Sequence, residues 1–190
     1  MLRKISLIAL SAASVFAMHS AELNINNSDL EVGVRLDAGQ FNESVEPHTI
    51  FIGAKYINAD ERHSDVRRIK DYQEVNFLMQ KNVNADFRLG LGVKLNHTED
   101  FVSIPLGLEA QYKLPINTAM PLYIGAAIYC APEVLSMDKA DGFLEYRANA
   151  DLQVIENGYI TVGYRHMDTN YKRGDVEYND SVYIGMKFEF

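Results

Sequence analysis

The last stretch of the chain, Asp180-Ser-Val-Tyr-Ile-Gly-Met-Lys-Phe-Glu-Phe190, constrains the fold more than any other. Val182, Ile184, Met186, Phe188 and Phe190 are apolar at every second position, with Tyr183, Gly185, Lys187 and Glu189 between them. A period of two sends successive side chains to opposite faces of a strand. One face is therefore apolar and the other mostly polar, up to the terminal carboxylate. A soluble protein seldom ends this way. A bacterial outer-membrane barrel does so habitually, because lipid lies outside it and a polar lumen inside. Ile184, Met186, Phe188 and Phe190 are the expected signal for the barrel-assembly machinery.

The same alternation recurs upstream. Phe87, Leu89, Leu91, Val93 and Leu95 alternate with Asp86, Arg88, Gly90, Gly92, Lys94 and Asn96. Val102 to Leu114 and Leu144 to Val154 behave likewise. Weaker alternation marks Leu30–Asp37, Thr49–Ile57, Tyr72–Lys81 and Tyr159–His166, while Leu122–Cys130 is apolar on both faces and leaves its register open. No stretch holds a helical period, so the chain is read as all-β. Short connections such as Asn82-Val-Asn84, Pro115–Pro121 and Glu156-Asn157-Gly158 take turns with longer polar ones: Asn58–Lys70, Pro132–Gly142 and Thr169–Asn179, with His97–Asp100 a shorter member. Short periplasmic turns, longer external loops and both termini inside are the layout of an outer-membrane barrel. The expected fold is a closed antiparallel up-and-down transmembrane β-barrel of eight to ten strands. Ten is favoured, with Leu23–Asn27 as a short extra strand turning at Ser28-Asp29.

A soluble barrel would invert the pattern, with apolar side chains inside. Against it, the polar face carries many full charges: Arg35, Asp86, Arg88, Lys94, Glu109, Lys113, Glu145, Arg147, Asp151, Arg165 and Lys187. It also collects glycines, which suits a narrow interior. The expected role is that of an outer-membrane barrel with a structural or narrow porin-like function. Arg35, Arg88, Lys94, Glu109, Arg147, Asp151 and Arg165 would line its lumen and set any ion selectivity. Charges of both signs facing one another in a confined interior should pair, because a buried unpaired charge is costly.

Residues 1–21 read as a signal peptide, with Arg3 and Lys4 ahead of the apolar run Ile5–Phe16 and cleavage after Ala17 or Ala21. The barrel domain then covers 22–190. Removing the leader takes the formal net charge from -8 to -8 − 2 = -10, which argues against nucleic-acid binding. Outer-membrane lipid and lipopolysaccharide are the expected surroundings, and the external acidic loops could meet divalent cations there. The single cysteine, Cys130, reads as a small buried or lipid-facing residue.

Catalysis and cofactors find little support. His97 lies near Glu99 and Asp100, His166 near Asp168, and His63 near Glu61 and Asp65, yet no spacing forms a metal or nucleophile motif. The chain is read as neither an enzyme nor a metal or cofactor protein. A hydrolase centred on His97 or His166 is the remote alternative, behind a ligand-binding or adhesion barrel working through its long loops. Leu122-Tyr123, Tyr129-Cys130-Ala131-Pro132-Glu133-Val134-Leu135-Ser136, Phe143-Leu144-Glu145-Tyr146-Arg147 and Val162-Gly163-Tyr164-Arg165 together resemble the YfaZ family of outer-membrane proteins. Cys130 interrupts the family's Tyr-Ala-Pro step. The resemblance implies a small outer-membrane barrel, sometimes described as porin-like, and brings no catalytic residues with it.

Overall fold

A computed structural model describes residues 19–59, 71–116, 120–171 and 176–190. In chain order its strands are β1 (Ser20–Ile25), β2 (Asp29–Asp37), β3 (Ile50–Ala59), β4 (Tyr72–Asn82), β5 (Phe87–His97), β6 (Phe101–Ser103), β7 (Leu106–Lys113), β8 (Leu122–Ala131), β9 (Ser136–Asp138), β10 (Ala140–Ile155), β11 (Gly158–Tyr171) and β12 (Val176–Glu189). Short 3₁₀ turns occupy Ala38–Gln40 and Glu133–Leu135.

Ten of these strands form one antiparallel ring. Its order is β1-β2-β3-β4-β5-β7-β8-β10-β11-β12, and pairing of β12 with β1 returns it to its start. The closing seam extends past the strands themselves: His19 and Phe190 exchange backbone hydrogen bonds of 3.0 and 2.8 Å. Closure leaves no barrel strand with an unpaired edge. The ten-strand expectation and the short N-terminal strand are both met, with β1 displaced a few residues upstream of Leu23–Asn27. Its turn forms because the Asn26 side-chain oxygen accepts from the backbone N–H of Ser28 and Asp29 at 2.6 and 2.8 Å, an Asx turn.

The pleat sorts the side chains as the alternation requires. Leu23, Val32, Val34, Ile52, Val75, Phe77, Leu91, Leu108, Ile128, Val162, Ile184 and Met186 all face outward and are exposed. Glu31, Glu74, Lys94, Glu145, Asp151 and Arg165 face inward and are buried. On β8, where the sequence left the register open, Tyr123, Gly125, Ala127, Tyr129 and Ala131 face in, and Cys130 is exposed on the outer wall.

The two ends of the barrel differ. At the end carrying both termini the connections are mostly tight; at Glu156–Asn157 the turn uses a positive φ of 61° at Asn157. The longest is the stretch 38–49. It is organised by Asp37, whose carboxylate accepts from the N–H of Gly39 at 2.9 Å and of His48 at 2.7 Å. At the far end, β6 and β9 pair with each other above the ring. Two expected loops run into strands. His97 is the last residue of β5, held opposite Gln73 and Val102. Thr169–Asn179 is mostly β11 and β12, whose backbone pairing continues past the apolar belt, where side-chain polarity no longer alternates. The expected leader up to residue 18, the 60–70 portion of Asn58–Lys70 with His63, the 117–119 portion of Pro115–Pro121, and 172–175 lie outside the described residues.

Candidate functional site

The interior is built in three layers along the barrel axis. At the far end it is apolar. Ile57, Tyr72, Phe101, Ala131, Ala140, Phe143, Met167 and Tyr178 form a buried cluster inside the ring. Phe101 stands at its centre, fully buried, with ring centroids 5.8 Å from Phe143 and 6.0 Å from Tyr178. It is delivered by β6, which is not part of the ring, so the pair β6–β9 acts as a cap with an aromatic stopper. Tyr178 joins because a bulge shifts the register between Met167–Asn179 and Asp168–Glu177, turning both Tyr178 and Asn179 inward. Outside, the Lys139 ammonium meets Asp100 at 2.8 Å across the cap.

Beneath the cap lies a layer of paired charges. Glu31 on β2 is fully buried and accepts from both Nη atoms of Arg147 on β10, at 2.9 and 2.8 Å. It also accepts from Arg165 on β11 and, at 2.8 Å, from Asn24 on β1. Arg165 reaches Asp29 at 2.6 Å and Asn179 at 3.0 Å. Arg147 donates through Nε to Glu145 at 2.5 Å, and Lys94 on β5 sits 2.7 Å from Glu145 and 3.1 Å from Glu74. These contacts run across the lumen and tie opposite walls together. Each buried ion is met by several partners, the condition under which buried charge is tolerated. The Tyr72 hydroxyl donates to Glu74 at 3.1 Å and links cap to charge layer.

Below that layer the lumen widens into a polar cavity of about 200 Å³, open toward the end that carries both termini. Arg35 spans it to Glu109 at 3.3 and 3.5 Å, and Tyr129 donates to the same carboxylate at 2.7 Å. Tyr129 also lies under the Lys94 ammonium, 4.0 Å from ring centroid to nitrogen. Its ring fits only because two neighbours lack side chains. A Cβ on Gly92 would lie 2.2 Å from the Tyr129 hydroxyl, and one on Gly107 2.5 Å from the ring. At the mouth, Lys187 sits 3.3 Å from Glu189 and 3.7 Å from Asp151, over the face of Tyr159.

All seven lumen residues expected from the sequence therefore face inward. The structure places Arg165 within the sealed layer, Lys94 and Arg147 where that layer floors the cavity, and Arg35, Arg88, Glu109 and Asp151 around the cavity itself. Sequence reasoning passed over Glu31, Glu74 and Lys55, although each stands between apolar or outward residues in the inward phase of its strand. It also passed over the whole apolar cap. Neither His97 nor His166 belongs to a site among the described residues. His166 lies on the outer wall, stacked on Tyr146 at 4.7 Å, with Asp180 at 3.8 Å. No cluster of three metal-binding side chains occurs among the described residues.

An all-β ring with an apolar exterior and an ion-paired interior defines the class: an antiparallel β-barrel of inverted polarity. The family described as YfaZ precursor matches residues 2–190, and the chain belongs to it. Among solved structures, the chain aligns with a KdgM porin at a TM-score of 0.48 and 9% identity, covering 90% of this chain and 98% of that one. It aligns with the outer membrane channel DcaP of Acinetobacter baumannii at 0.38 and 8%, covering 89% and 54%. No curated protein matches the sequence.

Proposed function

We propose that this protein is an integral barrel of the bacterial outer membrane with a structural role, its lumen sealed against solutes. The exposed outer wall supports the membrane setting: a continuous apolar belt around a closed ring is stable only against lipid. The end with both termini then faces the periplasm, and the β6–β9 cap faces outside. One observation carries the sealed reading. Two barriers stand in series across the lumen, the aromatic cap around Phe101 and the ion-paired layer around Glu31. A narrow porin-like conduit would require both to part at once.

On this reading the partners are lipid, lipopolysaccharide and, during insertion, the assembly machinery that recognises Phe190 and its strand. No catalytic step is assigned, since His97, at the end of β5, and His166, within β11, lie on the outer wall with no activated nucleophile beside them among the described residues. Membrane fractionation tests the setting. The folded chain should co-sediment with outer-membrane markers and migrate anomalously on gels unless boiled. Recovery in the soluble periplasmic fraction would overturn the proposal.

A further inference from the structure

The periplasm-facing cavity contains a cation that stands outside the ion pairs around it. The inward cations Arg35, Lys55, Lys94, Arg147, Arg165 and Lys187 each have a carboxylate within ion-pair distance. Arg88, half-buried on β5 and lining the same cavity, makes no ion pair among the described residues. Its Nε donates to the neutral Asn82 at 3.1 Å, which fixes the plane of the guanidinium and leaves the two amino groups uncommitted. Gln111, its Cα partner on β7, and Gln80 on β4 line the cavity beside it. Asp86, two residues before Arg88 in the turn, makes no ion pair with it, and the other mouth carboxylates are on other strands. Glu189 is on β12, which lies across the ring from β5.

From this arrangement we infer that the cavity is a binding cup for a small organic anion, entered from the periplasmic end and anchored on Arg88. A guanidinium fork takes carboxylate or phosphate oxygens bidentately, and the side-chain amide of Gln111 adds neutral donors. Arg35 offers a second contact deeper in the cup, because its pair with Glu109 is long and about a third of its side chain is exposed. The cup ends blindly at the ion-paired layer, so the site holds a solute and does not conduct it. A phosphate or carboxylate group is the shared chemistry, and its source could be a free metabolite or the end of a larger molecule. The inference goes beyond the structural role and needs only the folded barrel.

Isothermal titration of the folded mature barrel in detergent micelles, with inorganic phosphate and with succinate as probes, tests it. Saturable one-to-one binding of either probe is expected, tighter at low ionic strength. Arg88→Gln should weaken it tenfold or more, and Lys113→Gln, at the exposed rim, should leave it unchanged. Binding of phosphate alone or succinate alone supports the cup and names its chemistry. Absence of saturable binding by both probes, or equal binding by Arg88→Gln, overturns it. Should Arg88→Gln not fold by gel mobility, Arg88→Lys replaces it. That variant keeps the charge without the fork, so a several-fold loss is expected and unchanged affinity refutes. These results are independent of membrane placement, which fractionation reads separately.

Discussion

Replacing Arg165 with methionine should cost far more than deleting a single charge at the cavity mouth. Arg165 is fully buried and satisfies three partners: Glu31, Asp29 and Asn179. In its absence Glu31 keeps the two contacts from Arg147, but the Asp29 oxygen that faced the guanidinium is left without its cation. Removing one member of a buried pair strands the other, at about 3–5 kcal/mol. Arg88→Gln removes a half-buried cation with one neutral partner, so its cost should stay within about 0.5 kcal/mol. Urea titration of the barrel in phospholipid vesicles, read by far-UV circular dichroism and unboiled gel mobility, measures both. In a double-mutant cycle, Asp29→Asn combined with Arg165→Met should recover part of the loss, with a coupling of about 0.5–3 kcal/mol. If Arg165→Met is no more destabilising than Arg88→Gln, the ion-paired layer does not hold the barrel together.

Three further outcomes follow from the geometry. Phe101→Ala empties the centre of the cap and should lower stability by about 3–5 kcal/mol, measured in the same titration. Gly92→Ala places a methyl against the Tyr129 hydroxyl; the ring must leave its bond to Glu109 and its contact with Lys94, so the tyrosine near-UV signal should change and stability fall by more than about 1 kcal/mol. Cleavage should follow Ala17 rather than Ala21, because His19 bonds Phe190 through its backbone and accepts from the Asp37 N–H at 3.1 Å, while Ser20 and Ala21 are part of β1. Intact mass of the mature protein should therefore start at Met18, and a chain starting at Glu22 would contradict this.

The ring of strands was legible because lipid and lumen impose opposite polarities on alternate residues, and β5, β7, β10 and β12 display that directly. The inward position of Arg35, Arg88, Lys94, Glu109, Arg147, Asp151 and Arg165 followed from the same phase. What alternation does not encode is height along the axis or the identity of a partner. Arg147 and Arg35 look equivalent in sequence, yet one meets Glu31 in a sealed layer and the other bridges an open cup. The cap stayed hidden for a different reason. Tyr72, Phe143 and Met167 are apolar residues in the polar phase, which weakens the strand signal instead of strengthening it. Tyr178 turns inward through a bulge that resets the period, and Phe101 arrives on a short strand outside the ring. The polar neighbours of His97 read as a loop, but backbone pairing with Gln73 carries β5 through it.

Conductance of the mature chain across a planar lipid bilayer tests the sealed barrel most directly, with unboiled gel mobility confirming that the inserted protein is folded. The account predicts a folded protein that inserts and stays silent under applied voltage. Discrete, reproducible conductance steps from the wild-type barrel would mean that the Phe101 cap and the Glu31 layer do not close the lumen.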